Sequence, residues 1–210
     1  VFTSSSGKLD GVTIGSNLTW NGVTSIYGDL LLTDGITVTR DATYLYFYPA
    51  AAAGAQQIGI AGVATLGSTL SGGYWYTGYT NTETLTLGTG LTVKNTDITQ
   101  SSVTTLVNNG TLLYDVAGTY TINPATFTNN GTLNVTAGTL NIESTNTTNS
   151  ATGNITVGTG SILNLASYYY SASNFNNQGA LTLGGTTHTL GNTNPDPLYA
   201  FTFSNTGTLN

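Results

Sequence analysis

The sequence predicts an all-β, solenoid-like chain, and three observations carry that expectation. Short stretches alternate apolar and polar residues with the two-residue period of a half-buried strand, as in Thr132-Leu133-Asn134-Val135 and Thr139-Leu140-Asn141-Ile142. Corner residues punctuate them, above all Asn-Gly, which tolerates the left-handed backbone angles of tight turns. The unit of strand and corner then recurs: Gly110, Gly131, Gly153, Gly179 and Gly207 each open a copy, at intervals of 21, 22, 26 and 28 positions. Self-similarity at a drifting period of about 20 to 30 residues is the mark of a solenoid, whose coils bury a continuous core only by stacking.

Composition narrows the partners. Only 6% of the 210 residues are charged, against roughly 25% in an ordinary soluble domain, so polarity comes from Thr, Asn, Ser and Gly. The hydrophobic fraction of 39% nevertheless suffices for a core. Net charge is −6, and the basic residues are Lys8, Arg40 and Lys94. A nucleic-acid binder needs clustered Lys and Arg to displace counterions, and an anionic membrane asks for the same, so neither partner is expected. With no Cys there is no disulfide framework and no thiolate metal site, and no apolar run reaches the ~20 residues of a membrane helix. The absence of Met at position 1 is read as processing or as the mark of a fragment, and a removed signal peptide with export to the cell surface or the extracellular space is expected. Candidate glycosylation sequons lie at Asn17, Asn109, Asn130, Asn134, Asn146 and Asn154.

Along the chain a single all-β domain is expected over residues 1–210, with a less regular, Tyr-rich part over 1–104 and regular repeats over 105–210. GDLLLTDGITVTR (Gly28 to Arg40) and TLTLGTGLTVKN (Thr84 to Asn95) each read as two short strands about a Gly corner. ATYLYFYP (Ala42 to Pro49) alternates as a strand or capping hairpin would. AAAAGAQQIGIAGVA (Ala50 to Ala64) is the one stretch where a short helix is expected, and SGGYWYTGYTNT (Ser71 to Thr82) reads as an aromatic loop. In the repeats, the doubled words TLNV and TLNI are expected to form two sides of one turn, with ESTNTTNSAT and SYYYSASN as corner insertions.

The phrase from Phe127 to Ile142, and its echoes at Phe175 to Leu183 and Phe203 to Leu209, resembles the parallel β-helix repeats of the haemagglutinin-type and autotransporter-passenger families of secreted surface adhesins. The resemblance covers about half the chain. It implies a right-handed coil and a surface, adhesive or fibrous role, and no catalytic residue.

No constellation points to catalysis or to a cofactor. The single histidine, His188, is expected to be solvent-facing or stacked. The nine acidic residues are scattered; Asp29, Asp34 and Asp41 come nearest to a cluster and read as turn residues. A β-helix glycosidase needs paired carboxylates at a set separation, and none occupy matching slots. Thr-x-Thr pairs such as Thr37-Val38-Thr39 resemble the faces of ice-binding solenoids, but the pair does not recur in every coil. The tyrosines at 44–48, 74–79 and 168–170 suit subunit contacts, with sugar stacking the alternative.

The expected function is that of an extracellular structural subunit, assembled head to tail with copies of itself by strand pairing into a surface filament with adhesive character. The candidate interface is Val1, Phe2 and Thr3 at one end and Gly207, Thr208 and Leu209 at the other, since open coil edges template further strands and a non-closing contact yields a fibre. Three alternatives stand beside it: a β-sandwich pilin completed by a donor strand, a fragment of a larger adhesin, and a β-helix module that binds or cleaves surface glycans.

Overall fold

A computed structural model describes residues 1–3, 6–41, 43–48, 55–77, 83–100, 104–165, 172–184, 188–191 and 200–210. Every strand pairing among them is parallel, which is the pattern of a β-solenoid and not of the antiparallel sandwich held as an alternative. The strands fall into a ten-stranded and a sixteen-stranded sheet. The larger one is two faces joined at a corner. Its strand Thr24–Leu32 pairs through Thr24 to Tyr27 with Tyr44–Tyr48 and through Leu30 to Leu32 with Ala55–Ile60. Gly28, at φ 66°, makes the bend between the two halves.

Each coil therefore has three faces rather than the two expected. In the quoted repeat, Thr132–Val135 lies on the first face, Thr139–Ile142 on the second and Asn146–Asn149 on the third. The third strand hides in the sequence because its inward residues are Thr147 and Asn149, so its polarity imitates a loop. Two further expectations are corrected. Ala55–Ile60, inside the stretch expected to be helical, is a strand, because its residues alternate against Glu83–Leu87 on the next rung. Tyr74–Thr77, expected in a loop, is a strand whose Trp75 points inward with no exposed surface.

Columns of stacked side chains fill the interior. On the first face the register places Leu70, Val93, Leu112, Leu133, Ile155 and Leu181 one above another. All six are buried, which stabilises by about 2 kcal/mol per side chain. The second face carries Leu45, Trp75, Ile98, Ile122, Ile142 and Leu165 in the same way. The third face changes character along its length: Leu30, Ile58 and Leu87 are followed in the same column by Asn108, Asn129, Asn149, Asn177 and Asn205.

The glycines of the repeat stack as well. Gly131, Gly179 and Gly207 each pass so near the preceding coil that a Cβ would overlap the carbonyl oxygen of Gly110, Gly153 and Gly179 respectively. That crowding fixes glycine at the corner between the third and first faces. With rungs about 4.8 Å apart, nine coils make a rod roughly 40 Å long.

Candidate functional site

Two surfaces stand out, the rod's extremities and a tyrosine patch on the second face. The patch follows from alternation. In Tyr44–Tyr48 the inward residues Leu45 and Phe47 are fully buried, which turns Tyr44, Tyr46 and Tyr48 outward. Trp75 does the same for Tyr74 and Tyr76. The parallel register then sets Tyr44 beside Tyr74, Tyr46 beside Tyr76 and Tyr27 beside Tyr48. Ring centroids are 5.5 Å apart in each of the first two pairs and 4.8 Å in the third, where the planes are 7° from parallel. The Lys8 ammonium lies 5.2 Å from the Tyr27 ring and covers that end of the stack.

On the following rung the aromatic run stops. Asp97 stands beside Tyr74 and Thr99 beside Tyr76. The backbone N–H of Thr121 donates to Asp97 Oδ1 at 2.7 Å, and the Thr99 hydroxyl donates to the carbonyl of Trp75 at 3.2 Å. Burial pushes the Asp97 carboxyl above its ordinary value, outweighing the bond from Thr121.

The three acids nearest to a cluster are each taken up by backbone. Asp34 accepts from the N–H groups of Thr65, Leu66 and Gly67 at 2.8, 2.9 and 2.8 Å and from the Thr65 hydroxyl at 2.6 Å. Those bonds, led by the hydroxyl, hold its carboxyl far below the usual range. Asp29 accepts from the N–H of Gln57 at 2.8 Å. Asp41 accepts from the N–H of Gly22 at 3.0 Å and from the hydroxyl of Thr43. Each carboxylate thus ties one coil's corner to another coil or to its own turn. Among the described residues no group of three or more His, Asp or Glu is placed to share a metal ion. His188 accepts from the N–H of Leu163 through Nδ1 at 3.2 Å, so it is stacked on the second face.

Arg40 was singled out in the sequence only as one of three basic residues. Its guanidinium is buried 4.7 Å from the Trp20 ring, and Nη2 donates to the carbonyl of Gly22 at 3.2 Å and the hydroxyl of Thr43 at 3.1 Å. Burial lowers its pKa to about 10, although the neighbouring Asp41 charge opposes the shift. The group locks the first coils together.

All six sequon asparagines are at the surface or half-buried, apart from the interior amide column. Asn130 donates to Asn109 at 2.9 Å along an outer corner, and Asn174 donates to Asn146 at 2.6 Å. Tyr168, Tyr169 and Tyr170 and Asp196 lie outside the described residues.

The two candidate interface trios fall at opposite ends of the first face. Phe2 and Thr3 pair with Trp20 and Asn21, and Thr208 and Leu209 pair with Ala180 and Leu181. Around Phe2, the inward side chains Leu9, Val12, Ile14, Leu18 and Trp20 line an apolar cavity of about 120 Å³ open at the extremity. At the other end Phe203 stacks on Phe175 at 5.7 Å, and Leu209 remains half exposed.

Comparison with family models, with curated proteins and with solved structures finds no match.

Proposed function

We propose that the chain is a structural rod element of an extracellular filament, extended at its extremities by further parallel rungs from copies of itself. One observation carries this reading: the interior columns, apolar and amide alike, run on into the outermost described rungs. Asn205 receives the Asn177 amide at 2.7 Å, as in the rungs before it, and Phe203 lies on Phe175. The opposite extremity presents the apolar mouth around Phe2 and Trp20. Among the described residues, Phe2–Thr3 and Thr208–Leu209 are the outer strands of the ten-stranded sheet and each pairs on one side; such edges, with the apolar side chains stacked behind them, favour another parallel coil over water. A heterologous contact of this kind does not close on itself, and its product is a fibre.

Negative-stain electron microscopy and sedimentation velocity over a concentration series test the proposal. It expects rods one solenoid wide that lengthen with concentration beyond the roughly 40 Å of a single chain. A sharp monomer peak at the highest concentration, with only short particles on the grid, overturns it.

A further inference from the structure

We propose that the tyrosine patch on the second face is a binding site for a neutral glycan chain. The argument begins where the aromatic run ends. Tyr74 is 40% exposed although it belongs to a regular strand. On the next rung Asp97 beside it and Thr99 beside Tyr76 are shorter than a tyrosine, so the last rings of the run stand above the strip that follows them. A step of this shape offers aromatic carbon on one side and hydrogen-bonding oxygen on the other. A pyranose ring has the complementary build, with an apolar C–H face and a belt of hydroxyls. The bond from Thr121 fixes Asp97 Oδ1 and leaves Oδ2 to accept from a sugar hydroxyl. Farther along the same outer column, Asn141 and Asn164 continue the strip with amides, joined to each other at 2.9 Å.

Charge selects the class of glycan. The chain carries −6, Asp97 sits at the step, the Lys94 ammonium is paired with Asp115 at 2.6 Å, and the Lys8 ammonium covers Tyr27 at the far end of the patch. A polyanion is repelled by this arrangement, whereas a neutral chain meets no unpaired cost. Aromatic anchors edged by hydroxyls and amides, with the rings held rigid by buried Leu45, Phe47 and Trp75 behind them, are the features of a preformed site.

The test is calorimetric titration of the full chain with cellulose-type, laminarin-type and mannan-type oligosaccharides, and with oligogalacturonate as the anionic comparison. At least one neutral oligosaccharide is expected to bind, and oligogalacturonate is not. Tyr76→Ala and Tyr74→Ala should each weaken binding about three- to tenfold, the size of a lost aromatic contact. Tyr76→Phe, which keeps the ring, should bind nearly as wild type, and Asp97→Asn tests the step even if an alanine variant misfolds. Circular dichroism melts of every variant confirm that the solenoid persists. Absence of binding by all three neutral ligands, undiminished binding by Tyr76→Ala, or preference for oligogalacturonate overturns the proposal. So does a loss of self-association in Tyr76→Ala without any glycan present, which would assign the patch to a second copy of the chain.

Discussion

Asn129 and Asn149 face each other on consecutive rungs of the third face, both without exposed surface, and the Asn129 amide donates to Asn149 Oδ1 at 2.8 Å. The same bond recurs from Asn108 to Asn129, from Asn149 to Asn177 and from Asn177 to Asn205. Each amide nitrogen also reaches a carbonyl at the start of the first face: Thr132 for Asn108, Asn154 for Asn129, Ala180 for Asn149 and Thr208 for Asn177. The column therefore satisfies buried polar atoms and ties the third face to the first around the glycine corner. An apolar column would leave those carbonyls without these donors, which explains why Leu87 gives way to Asn108 as the NG corners begin.

Replacing Asn129 by Ala should destabilise the rod more than its small volume change implies. It removes one of the two acceptors of the Asn108 amide and leaves Asn149 Oδ1 without its donor, and an unsatisfied buried group costs about 1–3 kcal/mol. Urea unfolding followed by circular dichroism should show a lower midpoint with an unchanged slope. The outer Asn130→Ala, which breaks only an exposed amide pair, is the control and should shift the midpoint little.

Gly131→Ala and Gly158→Ala should separate cleanly. Neither glycine has a positive φ, so backbone strain is not at issue. At Gly131 the new Cβ meets the Gly110 carbonyl, a backbone atom that cannot rotate away, and overpacking costs of about 1–3 kcal/mol are expected at the least. At Gly158 the nearest atoms, Thr136 Cα and the Val135 carbonyl, are at 3.5 Å, an ordinary contact. There the lost freedom of the unfolded chain should make alanine neutral or stabilising by up to about 1 kcal/mol. Thermal melts of the two variants check the pair.

In the regular repeats the strands that carry aliphatic residues inward were readable from the sequence, and so was the repeat, whereas Ala55–Ile60, with Ile58 inward, was read as helical. TLNV and TLNI alternate cleanly, and the spacing of Gly110, Gly131 and Gly153 marks the coils. The third face was not readable as a strand at Asn146–Asn149, because hydrophobic periodicity is blind to an inward asparagine held by its neighbours in the column. A signal did exist: Asn108, Asn129, Asn177 and Asn205 each stand two places before a corner glycine. Asp34 was read as a turn residue and does stand in a turn with Gly35, but the backbone donors of its carboxylate, Thr65 to Gly67 on the next coil, were not readable. The tyrosine step needed the register between two coils, because the segments holding Tyr76 and Thr99 are not similar in sequence and only the pairing brings them together.

Stability should pass through a maximum in mild acid. Burial raises the carboxyls of Asp97 and Glu143, so their ionisation opposes folding, and stability grows as pH falls through their folded values toward the ordinary 3.8 and 4.5. Asp34 has the opposite sign. Its depressed carboxyl contributes stability that is complete above 3.8 and is lost as pH falls further. Melting temperature is thus expected to hold or rise slightly from neutral into mild acid and to decline below about 3.8. Scanning calorimetry should find the rise diminished in Glu143→Gln and the acid decline flattened in Asp34→Asn. A steady fall beginning at neutral pH would contradict the assignment.

Leu209→Asp should break the proposed filament while sparing the fold. Leu209 is half exposed on an outermost rung, so a carboxylate there remains hydrated in the single chain and should alter its melting temperature little. In a joint the same position lies beneath the next coil, where an unpaired charge costs several kcal/mol and each 1.4 kcal/mol is a tenfold change in association. Rods should therefore disappear at neutral pH at concentrations where the wild type forms them. They should return as the buffer is acidified through the ordinary aspartate range, since the protonated acid has no charge to bury. Leu209→Asn, of similar size but without the charge, should assemble better than the aspartate at neutral pH. Rods of normal length from Leu209→Asp at neutral pH would show that this extremity takes no part in the joint.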